Sequence, residues 1–316
     1  MAAAPRVSLA MPVYNGAWYV GEAITSALAQ DFEDFELIIT DNASDDATPD
    51  ICNSFARLDR RIRFVRNPKN LGAAPNYNLG FELARGDYLK WCAHDDLLST
   101  NYVSACLAAL EKDPGAALAF GRTVCIDPDG RQIDGQDMDA MDAILDPSPA
   151  RRFHTAITRS GTCFPIFGLF RRSILARTTL HRPYYGSDRA LIAETALLGR
   201  CLLVPAATFY NREHPTRSIR MVDHGARSRW QSTSAGRGSA MEHVGLARHL
   251  TEIAMRHGDV VSPLAAATQV ARFALRPMQV GRIALDLARY ASPNAAARLK
   301  RIVTSPAREG LGASKS

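Results

Sequence analysis

Short apolar runs alternate with segments of helical periodicity along the first 126 residues of the chain. The run at 35–40 is apolar at nearly every position, which is typical of a strand buried on both faces of a parallel sheet. The predicted strands are 7–11, 35–40, 62–66, 87–92, 116–120 and 123–126, and the predicted helices are 17–29, 48–58, 74–84 and 100–112. This alternation predicts an α/β domain of βαβ units, with a mixed, mainly parallel sheet between helices.

The pattern is less regular after residue 126. Asp127 to Gly130 has the composition of a β-turn between two strands. The segment 134–149 contains five aspartates and two prolines without periodicity, which predicts a surface loop, or alternatively a flap beside an acceptor site. Further predicted elements are a helix at 190–198, a strand at 202–204 followed by a separate segment at 208–210, and helices at 241–257, 264–275, 280–290 and 294–303. Because the composition shifts to Ser, Gly, Ala and Arg after about Arg229, we divide the chain into a domain at 1–225 and a helical, basic C-terminal extension at 226–316.

The overall composition is that of an ordinary soluble protein, with 47% hydrophobic and 22% charged residues among 316. No apolar run approaches the roughly 18 to 20 residues that span a bilayer, and the N-terminus lacks the apolar region of a secretory signal. We therefore expect a cytoplasmic protein. The six cysteines are scattered without CxxC spacing, which predicts reduced thiols and neither a disulfide framework nor a structural zinc site.

The net charge of +6 is concentrated near the C-terminus, where eight Lys or Arg residues face two acids from Arg276 onward. Three interpretations of this basic tail stay open: a solvated helical extension, a peripheral contact with anionic lipid at the inner face of a membrane, and a homodimer contact. Nucleic acid is not an expected partner, because the arginines alternate with Ala and Leu and not with exposed aromatic residues.

Polar groups follow three of the predicted strands, at 12–16, 41–44 and 94–96. In an open parallel sheet, ligands bind outside the carboxyl ends of the strands, so the three groups are expected to converge on one edge. Each group suits a different part of a nucleotide.

Tyr14 offers a ring and a hydroxyl to a base and ribose, and Asp41 offers an acceptor to a uracil imide. Asp95 and Asp96 provide the hard oxygen ligands that Mg²⁺ and Mn²⁺ prefer. The alternative for the acidic pair is a helix cap or a solvated turn, since a predicted helix follows it.

The order of these groups identifies them more specifically than any one alone. In chain order the set reads Pro12-Val13-Tyr14-Asn15, Asp41-Asn42-Ala43-Ser44-Asp45-Asp46, Asn70-Leu71-Gly72, Asn78-Leu79-Gly80, Ala84-Arg85-Gly86-Asp87-Tyr88 and Asp95-Asp96. This set, within residues 5–215, resembles the family 2 glycosyltransferases of the GT-A fold. The resemblance implies an inverting enzyme that moves a sugar from a nucleoside diphosphate, most often UDP, to a hydroxyl or amine of a glycan, lipid-linked or small-molecule acceptor.

The resemblance also implies roles for individual residues. Nucleotide contacts are implied for Pro12, Tyr14, Asn15, Asp41, Gly72 and Asp95, and ligands to a divalent metal, Mn²⁺ or Mg²⁺, are implied for Asp96 and His214. Two positions depart from the family's pattern. Ala93 stands where the Asp-x-Asp-Asp motif has its first acid, which bears on metal dependence. Tyr77 stands where an arginine is common, which bears on one phosphate or sugar contact.

The second half of the chain is expected to supply the acceptor side. Asp188 occupies the catalytic base position of the family, and an inverting displacement needs a base that takes the acceptor proton opposite the leaving diphosphate. Its alternative role is an N-cap or first-turn acid. Gly168 resembles the glycine before the acceptor helix, or alternatively a helix-entry glycine in an aromatic core.

His214 matches the family's C-terminal histidine, which joins the metal or diphosphate; a solvated loop histidine is the alternative. Three arginines of the same segment either screen the departing diphosphate or form a solvated basic loop. They are Arg212, Arg217 and Arg220.

Two other classes compete with a glycosyltransferase. A sugar nucleotidyltransferase shares the sheet and the acidic metal pair but needs a glycine-rich basic loop after its first strand, where this chain has Pro12 to Gly16. An inactive scaffold or carbohydrate-binding protein on the same fold is the non-enzymatic alternative. A dinucleotide oxidoreductase is disfavoured because GxGxxG is missing after the first strand.

Overall fold

A mixed β-sheet with helices on its faces forms the centre of the molecule in a computed structural model, which describes residues 4–137, 142–159, 163–221, 223–234 and 241–292. The strands are β1 (Val7–Val13), β2 (Phe35–Asp41), β3 (Ile62–Arg66), β4 (Tyr88–Trp91), β5 (Leu97–Leu98), β6 (Ala116–Ile126), β7 (Gln132–Asp137), β8 (Leu169–Arg171) and β9 (Arg200–Arg212). The helices are α1 (Val20–Leu28), α2 (Thr48–Leu58), α3 (Ala73–Leu83), α4 (Tyr102–Lys112), α5 (Pro149–Arg159), α6 (Arg172–Leu175), α7 (Ser187–Leu198), α8 (His224–Gln231), α9 (Glu242–Arg256), α10 (Pro263–Ala274) and α11 (Pro277–Ala291).

The sheet has the strand order β3-β2-β1-β4-β8-β6-β9-β5, with β7 paired to β6. The first four of these strands are parallel to one another. β8 runs antiparallel to both β4 and β6, so it joins the parallel half to the second half of the sheet. The predicted α/β class with a mixed sheet is confirmed.

The nearly continuous apolar character of β1 and β2 matches their position, because every residue of both strands is buried. β3 lies at the edge and is partly exposed. The predicted strands and helices up to residue 112 agree with the structure to within three residues at each end, as is usual for helix and strand ends.

Two predicted breaks within strands are wrong. The segments 116–120 and 123–126 form the single strand β6, and 202–204 and 208–210 belong to the single strand β9. The pairing of β6 with β9 shifts register after Gly121, where a side chain would come within 2.4 Å of the Ala207 carbonyl oxygen. A local irregularity of this kind interrupts the apolar alternation without ending the strand.

The predicted β-turn at Asp127 to Gly130 is confirmed: the Gly130 amide donates to the Asp127 carbonyl, and the turn joins β6 to β7. The predicted surface loop at 134–149 is wrong in part, because residues up to Asp137 belong to β7 and Ile144 forms a bridge with Cys201. Residues 138–141 of that prediction lie outside the described residues.

Helices α9 and α10 pack on the sheet domain through α7 and α5. Leu246, Leu250 and Ile253 of α9 belong to the same apolar cluster as Phe153 of α5 and Leu191 of α7. The predicted boundary at 225/226 falls inside the first turn of α8, and the division of the chain into two units stays a prediction. The predicted helix at 294–303 lies outside the described residues.

A fully buried carboxylate strengthens this packing. Glu194 of α7 accepts hydrogen bonds from Thr179 and lies 2.7 Å from the Nε2 atom of His257, just beyond α9. Among the described helices, none is long and apolar enough to cross a lipid bilayer.

Candidate functional site

Hydrogen bonds join the segment that follows β1 to the segment that follows β2. Asn15 has a left-handed backbone with a φ of 51°, its amide donates to Ser44 Oγ at 2.9 Å, and its side-chain oxygen accepts from the Asp45 amide at 3.0 Å. Asparagine tolerates this conformation better than most residues. Pro12, within β1, pairs in register with Thr40, while Tyr14 projects from the surface with 41% exposure.

Asp41 ends β2, and its side chain is fully buried. The carboxylate accepts from the Ser44 amide at 3.2 Å and lies 3.2 Å from Arg66 Nε. These contacts hold the carboxylate in one orientation beneath the loop that carries Asn15. The carboxylate therefore lies at the carboxyl edge of the sheet with its oxygens toward the Ser44 amide and Arg66.

Gly72 lies where the first part of the chain meets the end of α8. Its φ is 91°, and a side chain there would come within 2.4 Å of the Ser232 backbone. The Asn42 side chain donates to the Gly72 carbonyl oxygen at 3.1 Å. Both the left-handed backbone and the close approach therefore require glycine at this position. Next to Ser232, Gln231 Nε2 donates to Ser187 Oγ, one residue before Asp188.

The acidic pair follows β4 and is joined to the end of β9. Asp95 Oδ2 lies 2.9 Å from His214 Nε2, and Asp96 Oδ1 accepts from the Arg212 amide at 2.8 Å. Asn211 Nδ2 also donates to Asp96, at 3.3 Å. His214 therefore contacts Asp95, and Asp96 contacts the end of the strand that precedes His214, although residues 95 and 214 lie far apart in sequence. The assignment of Asp96 and His214 as metal ligands stays a prediction.

The two carboxylates of this pair have opposite pKa shifts. Burial, and then the adjacent charge of Asp95, raise the pKa of Asp96 well above its ordinary value. For Asp95, burial also acts to raise the pKa, but the charge of His94 and the hydrogen bond from His214 outweigh it and lower that pKa. Asp96 is thus a carboxylate whose negative charge lacks sufficient compensation in the protein.

The donor set around Asp96 fits a divalent cation. Asn211 Oδ1 is buried and lacks a hydrogen-bond partner among the described residues, so a hard oxygen is left unsatisfied beside the carboxylate. Carboxylate and amide oxygens are suitable ligands for Mg²⁺ and Mn²⁺, and such ions are commonly held by one or two carboxylates together with substrate phosphates. The described His, Cys, Asp and Glu residues do not form a cluster of three metal ligands.

Arg212 has a structural role that the sequence did not reveal. Its guanidinium is fully buried, donates to the carbonyl oxygens of Asp95 and Pro128, and pairs with Glu22 at 2.7 Å. The interpretation of Arg212 as a screen for the diphosphate has no support in these contacts, because its donors are used within the protein. Arg217 and Arg220 both pair with Glu213.

Asp188 lies in the first turn of α7, after Gly186, whose φ is 87°. Its Oδ1 accepts from the Arg189 amide at 2.9 Å, as a first-turn acid does. Burial raises the pKa of Asp188, and contacts with Arg189 and the Cys163 thiol oppose that rise only in part. The residue is therefore both a helix-terminal acid and a carboxylate of increased basicity.

The charges of the acidic pair and of Asp188 all influence the pKa of Tyr77. Burial raises the pKa of the Tyr77 phenol, and the negative charges of Asp95, Asp96 and Asp188 raise it further. All three carboxylates thus act on one partly buried side chain, at the position where an arginine is common in the family.

Gly168 ends a short 3-10 helix before β8. Its φ of −75° suits any residue, but a side chain there would come within 2.7 Å of the Ala119 carbonyl oxygen. The glycine is required by close packing on β6, and its part in acceptor binding stays a prediction.

A curated relative matches part of the chain in sequence. An uncharacterised glycosyltransferase of Haemophilus influenzae is 32% identical over 129 residues, which is 41% of this chain and 51% of the relative. The chain thus spans about half the length of this curated relative.

Solved structures share the fold over most of the chain. TarS of S. aureus, residues 1–349 in complex with UDP, superposes with a TM-score of 0.61 at 15% identity, covering 93% of this chain and 83% of that one. The mannosyltransferase PcManGT of Pyrobaculum calidifontis, in complex with GDP-Man and Mn²⁺, gives 0.55 at 19% identity, covering 95% and 80%. At these identities the likeness establishes the fold, and the expected GT-A fold is confirmed.

The family described as glycosyl transferase family 2 matches residues 8–178, more than half of the sequence. This match covers β1 through β8, including Asp41 and the acidic pair. The chain belongs to glycosyl transferase family 2.

Proposed function

We propose that this protein is an inverting glycosyltransferase that transfers a sugar from a UDP-sugar to a hydroxyl or amine of an acceptor. The observation that carries the proposal is the contact between the acidic pair after β4 and the end of β9, where Asp95 lies 2.9 Å from His214 and Asp96 accepts from the Arg212 amide. Carboxylates held in this way at the carboxyl edge of a sheet suit a metal-assisted nucleotide site. The UDP in the TarS structure and the GDP-Man and Mn²⁺ in PcManGT support a nucleotide-sugar donor.

In this proposal the segments after β1 and β2 bind the nucleoside. Asp41 accepts a hydrogen bond from the base, and Tyr14 contacts the base or ribose. The nucleotide-contacting set is Pro12, Tyr14, Asn15, Asp41, Gly72 and Asp95. The fixed orientation of Asp41 beside Ser44 and Arg66 limits the conformational freedom lost on binding.

Asp96 and His214 are the proposed metal ligands, with Asp95 oriented by His214. A bound Mn²⁺ or Mg²⁺ supplies positive charge that stabilises the departing diphosphate. Both ring nitrogens of His214 are hydrogen-bonded, to Asp95 and to Thr216, so the imidazole must exchange one of these contacts to reach the ion.

Asp188 is the proposed general base. It removes the proton of the acceptor nucleophile, whose oxygen or nitrogen forms the new bond to the anomeric carbon. The bond from that carbon to the diphosphate breaks, and UDP leaves with the electron pair. The raised pKa of Asp188 makes the carboxylate a better proton acceptor, and one carboxylate suffices since no covalent intermediate forms.

We also propose a peripheral membrane contact for the basic extension at 226–316. Large apolar side chains are exposed on and beside α10 and α11, and they lie among arginines. They include Leu264, Leu275, Met278, Leu287 and Tyr290. A surface of this composition suits an anionic lipid interface. Flotation with anionic vesicles tests this proposal. Co-flotation of the full chain supports membrane contact. A chain that does not float with the vesicles contradicts it, and a dimer in sedimentation would then favour a homodimer contact.

Isothermal titration with UDP, with and without Mn²⁺, tests the donor proposal, followed by hydrolysis assays with UDP-, GDP- and dTDP-sugars. We expect UDP to bind only weakly until Mn²⁺ is added, and UDP-sugars to be hydrolysed fastest. UDP affinity that ignores Mn²⁺, with no hydrolysis of any sugar nucleotide, contradicts the proposal and favours a binding protein.

A further inference from the structure

A cavity of about 570 Å³ lies beside the proposed base, between α7, α8 and the C-terminal helices. We call it the basic cavity and define it by four of its lining residues, Arg189, Arg227, Arg282 and Arg289. Arg189 directly follows Asp188, and its charge acts on the Asp188 carboxylate. One wall of the cavity is therefore formed by the residue that follows the proposed base. Its volume is in the range of small-ligand sites.

The acids of this region do not balance its arginines. The Glu242 carboxylate lies 3.1 Å from His224 Nδ1 and 3.5 Å from Arg227. Asp286, whose side chain is fully buried, lies 3.4 Å from His243 Nδ1 and 3.6 Å from Arg289. Arg227 lies beside Glu242, Arg289 beside Asp286, and Arg189 acts on Asp188, so the excess positive charge of the lining is that of Arg282.

Arg282 is the most informative residue of the lining. It is half-buried, and within the described part of the chain it has no acidic partner. An arginine retains its charge at every physiological pH, and desolvating it without a counterion costs free energy. A bound anion removes that cost.

Arg227 is held in a fixed orientation. Its Nε donates to the Met221 carbonyl oxygen at 2.6 Å, and its guanidinium lies 4.7 Å from the centre of the Tyr185 ring. These contacts leave donors of the planar group available while restricting its rotamers. A restricted guanidinium loses less entropy when it binds phosphate.

We propose that the basic cavity binds a phosphate group of the acceptor and thereby places the acceptor hydroxyl against Asp188. The proposal rests on the proposed transferase function and adds to it the chemical class of the acceptor, a phosphoester. Guanidinium groups match phosphate oxygens in bidentate pairs, and several arginines around one cavity suit a dianion better than a neutral sugar. Phosphate of a lipid headgroup and phosphate of a soluble molecule share this chemistry.

The test measures binding apart from catalysis. The full chain is titrated with glycerol 3-phosphate in low salt without metal, as wild type, Arg282→Gln, Arg282→Lys and Arg248→Gln. Arg248 is exposed on α9 and lies outside the cavity lining, so it controls for the loss of one charge. We expect saturable binding by the wild type, roughly tenfold or greater weakening by Arg282→Gln, a smaller effect of Arg282→Lys, and none for Arg248→Gln.

Vesicles of phosphatidylcholine with and without phosphatidic acid separate the two sources. Vesicle binding that depends on both phosphatidic acid and Arg282 assigns the site to lipid phosphate, whereas Arg282-dependent binding of glycerol 3-phosphate alone assigns it to a soluble acceptor. Failure of the wild type to bind either probe, or equal binding by wild type and Arg282→Gln, overturns the proposal. UDP affinity with Mn²⁺ is measured on the same samples. If the wild type does not bind UDP with Mn²⁺, the proposed transferase function is contradicted, whereas Arg282-dependent binding of a phosphate probe would still show that the basic cavity is a phosphate site.

Discussion

His214 Nε2 lies 2.9 Å from Asp95 Oδ2, and this contact fastens the end of β9 to the acidic pair that follows β4. The other ring nitrogen contacts Thr216 Oγ1 at 2.9 Å, so the imidazole is held from both sides. Tyr19 packs beside it at 4.9 Å between ring centres. The histidine therefore fixes the orientation of a carboxylate in the proposed metal site.

Replacing His214 by alanine is expected to weaken Mn²⁺-dependent UDP binding by at least about 10- to 100-fold, because loss of even a residue that only orients a metal ligand has this cost. Titration of UDP at fixed Mn²⁺ measures the effect. His154→Ala, on α5, is the control, since this histidine belongs to a different part of the molecule. Equal UDP affinity in His214→Ala and wild type contradicts the role.

Asp96→Asn is expected to abolish the Mn²⁺ dependence of UDP binding while preserving or increasing stability without metal. Because the folded pKa of Asp96 is raised, its stabilising effect is present at acid pH and is lost as the pH rises through that pKa. At pH 7 the buried charge is a cost, and asparagine removes it while its oxygen still accepts from the Arg212 amide. Thermal unfolding in chelator should show a gain on the order of 1 kcal/mol; a clear loss of stability contradicts this account.

Arg189→Gln is expected to move the acid limb of the kcat/KM profile to higher pH. Burial raises the pKa of Asp188 and Arg189 lowers it, so removal of the Arg189 charge lets that pKa rise further. The base must be deprotonated to act, and its protonation then begins at a higher pH. Arg248→Gln should leave the limb in place. A limb that moves to lower pH, or stays unchanged in Arg189→Gln, contradicts the assignment.

Glu194→Ala is expected to lower the free energy of unfolding by about 1–3 kcal/mol for each buried donor that loses its acceptor. The substitution leaves His257 and Thr179 without their buried acceptor. Urea unfolding measures the change. The matched control is Glu252→Ala, whose exposed pair with Arg182 should contribute about 1 kcal/mol or less. Equal losses in both variants contradict a structural role for Glu194.

The strands of the parallel half could be predicted from the sequence. They are buried on both faces and therefore form continuous apolar runs, which polar turns separate from one another. The same logic placed Asp41 and the acidic pair at carboxyl ends of strands. It missed α5, since this helix is polar on average. Its Arg152 is buried and donates to the Ala196 and Leu197 carbonyl oxygens at the end of α7, so a residue that reads as surface belongs to the interior.

Long-range contacts account for the other differences. β8 is three residues long and exists through its pairing with β4 and β6. The approach of Gly72 to Ser232 joins positions that no local pattern relates. The buried contacts of Arg212 likewise depend on Glu22 and Pro128, which only the folded chain brings together.

The transfer rate of Asp188→Asn, measured beside its affinity for UDP with Mn²⁺, tests the central claim most directly. Asparagine keeps the shape of the side chain and its acceptor for the Arg189 amide but does not take a proton at neutral pH. We predict that kcat for transfer falls by at least about 10²- to 10⁴-fold while UDP affinity stays within about twofold of wild type, since Asp188 is not among the proposed nucleotide contacts. Transfer at the wild-type rate in Asp188→Asn would contradict the account.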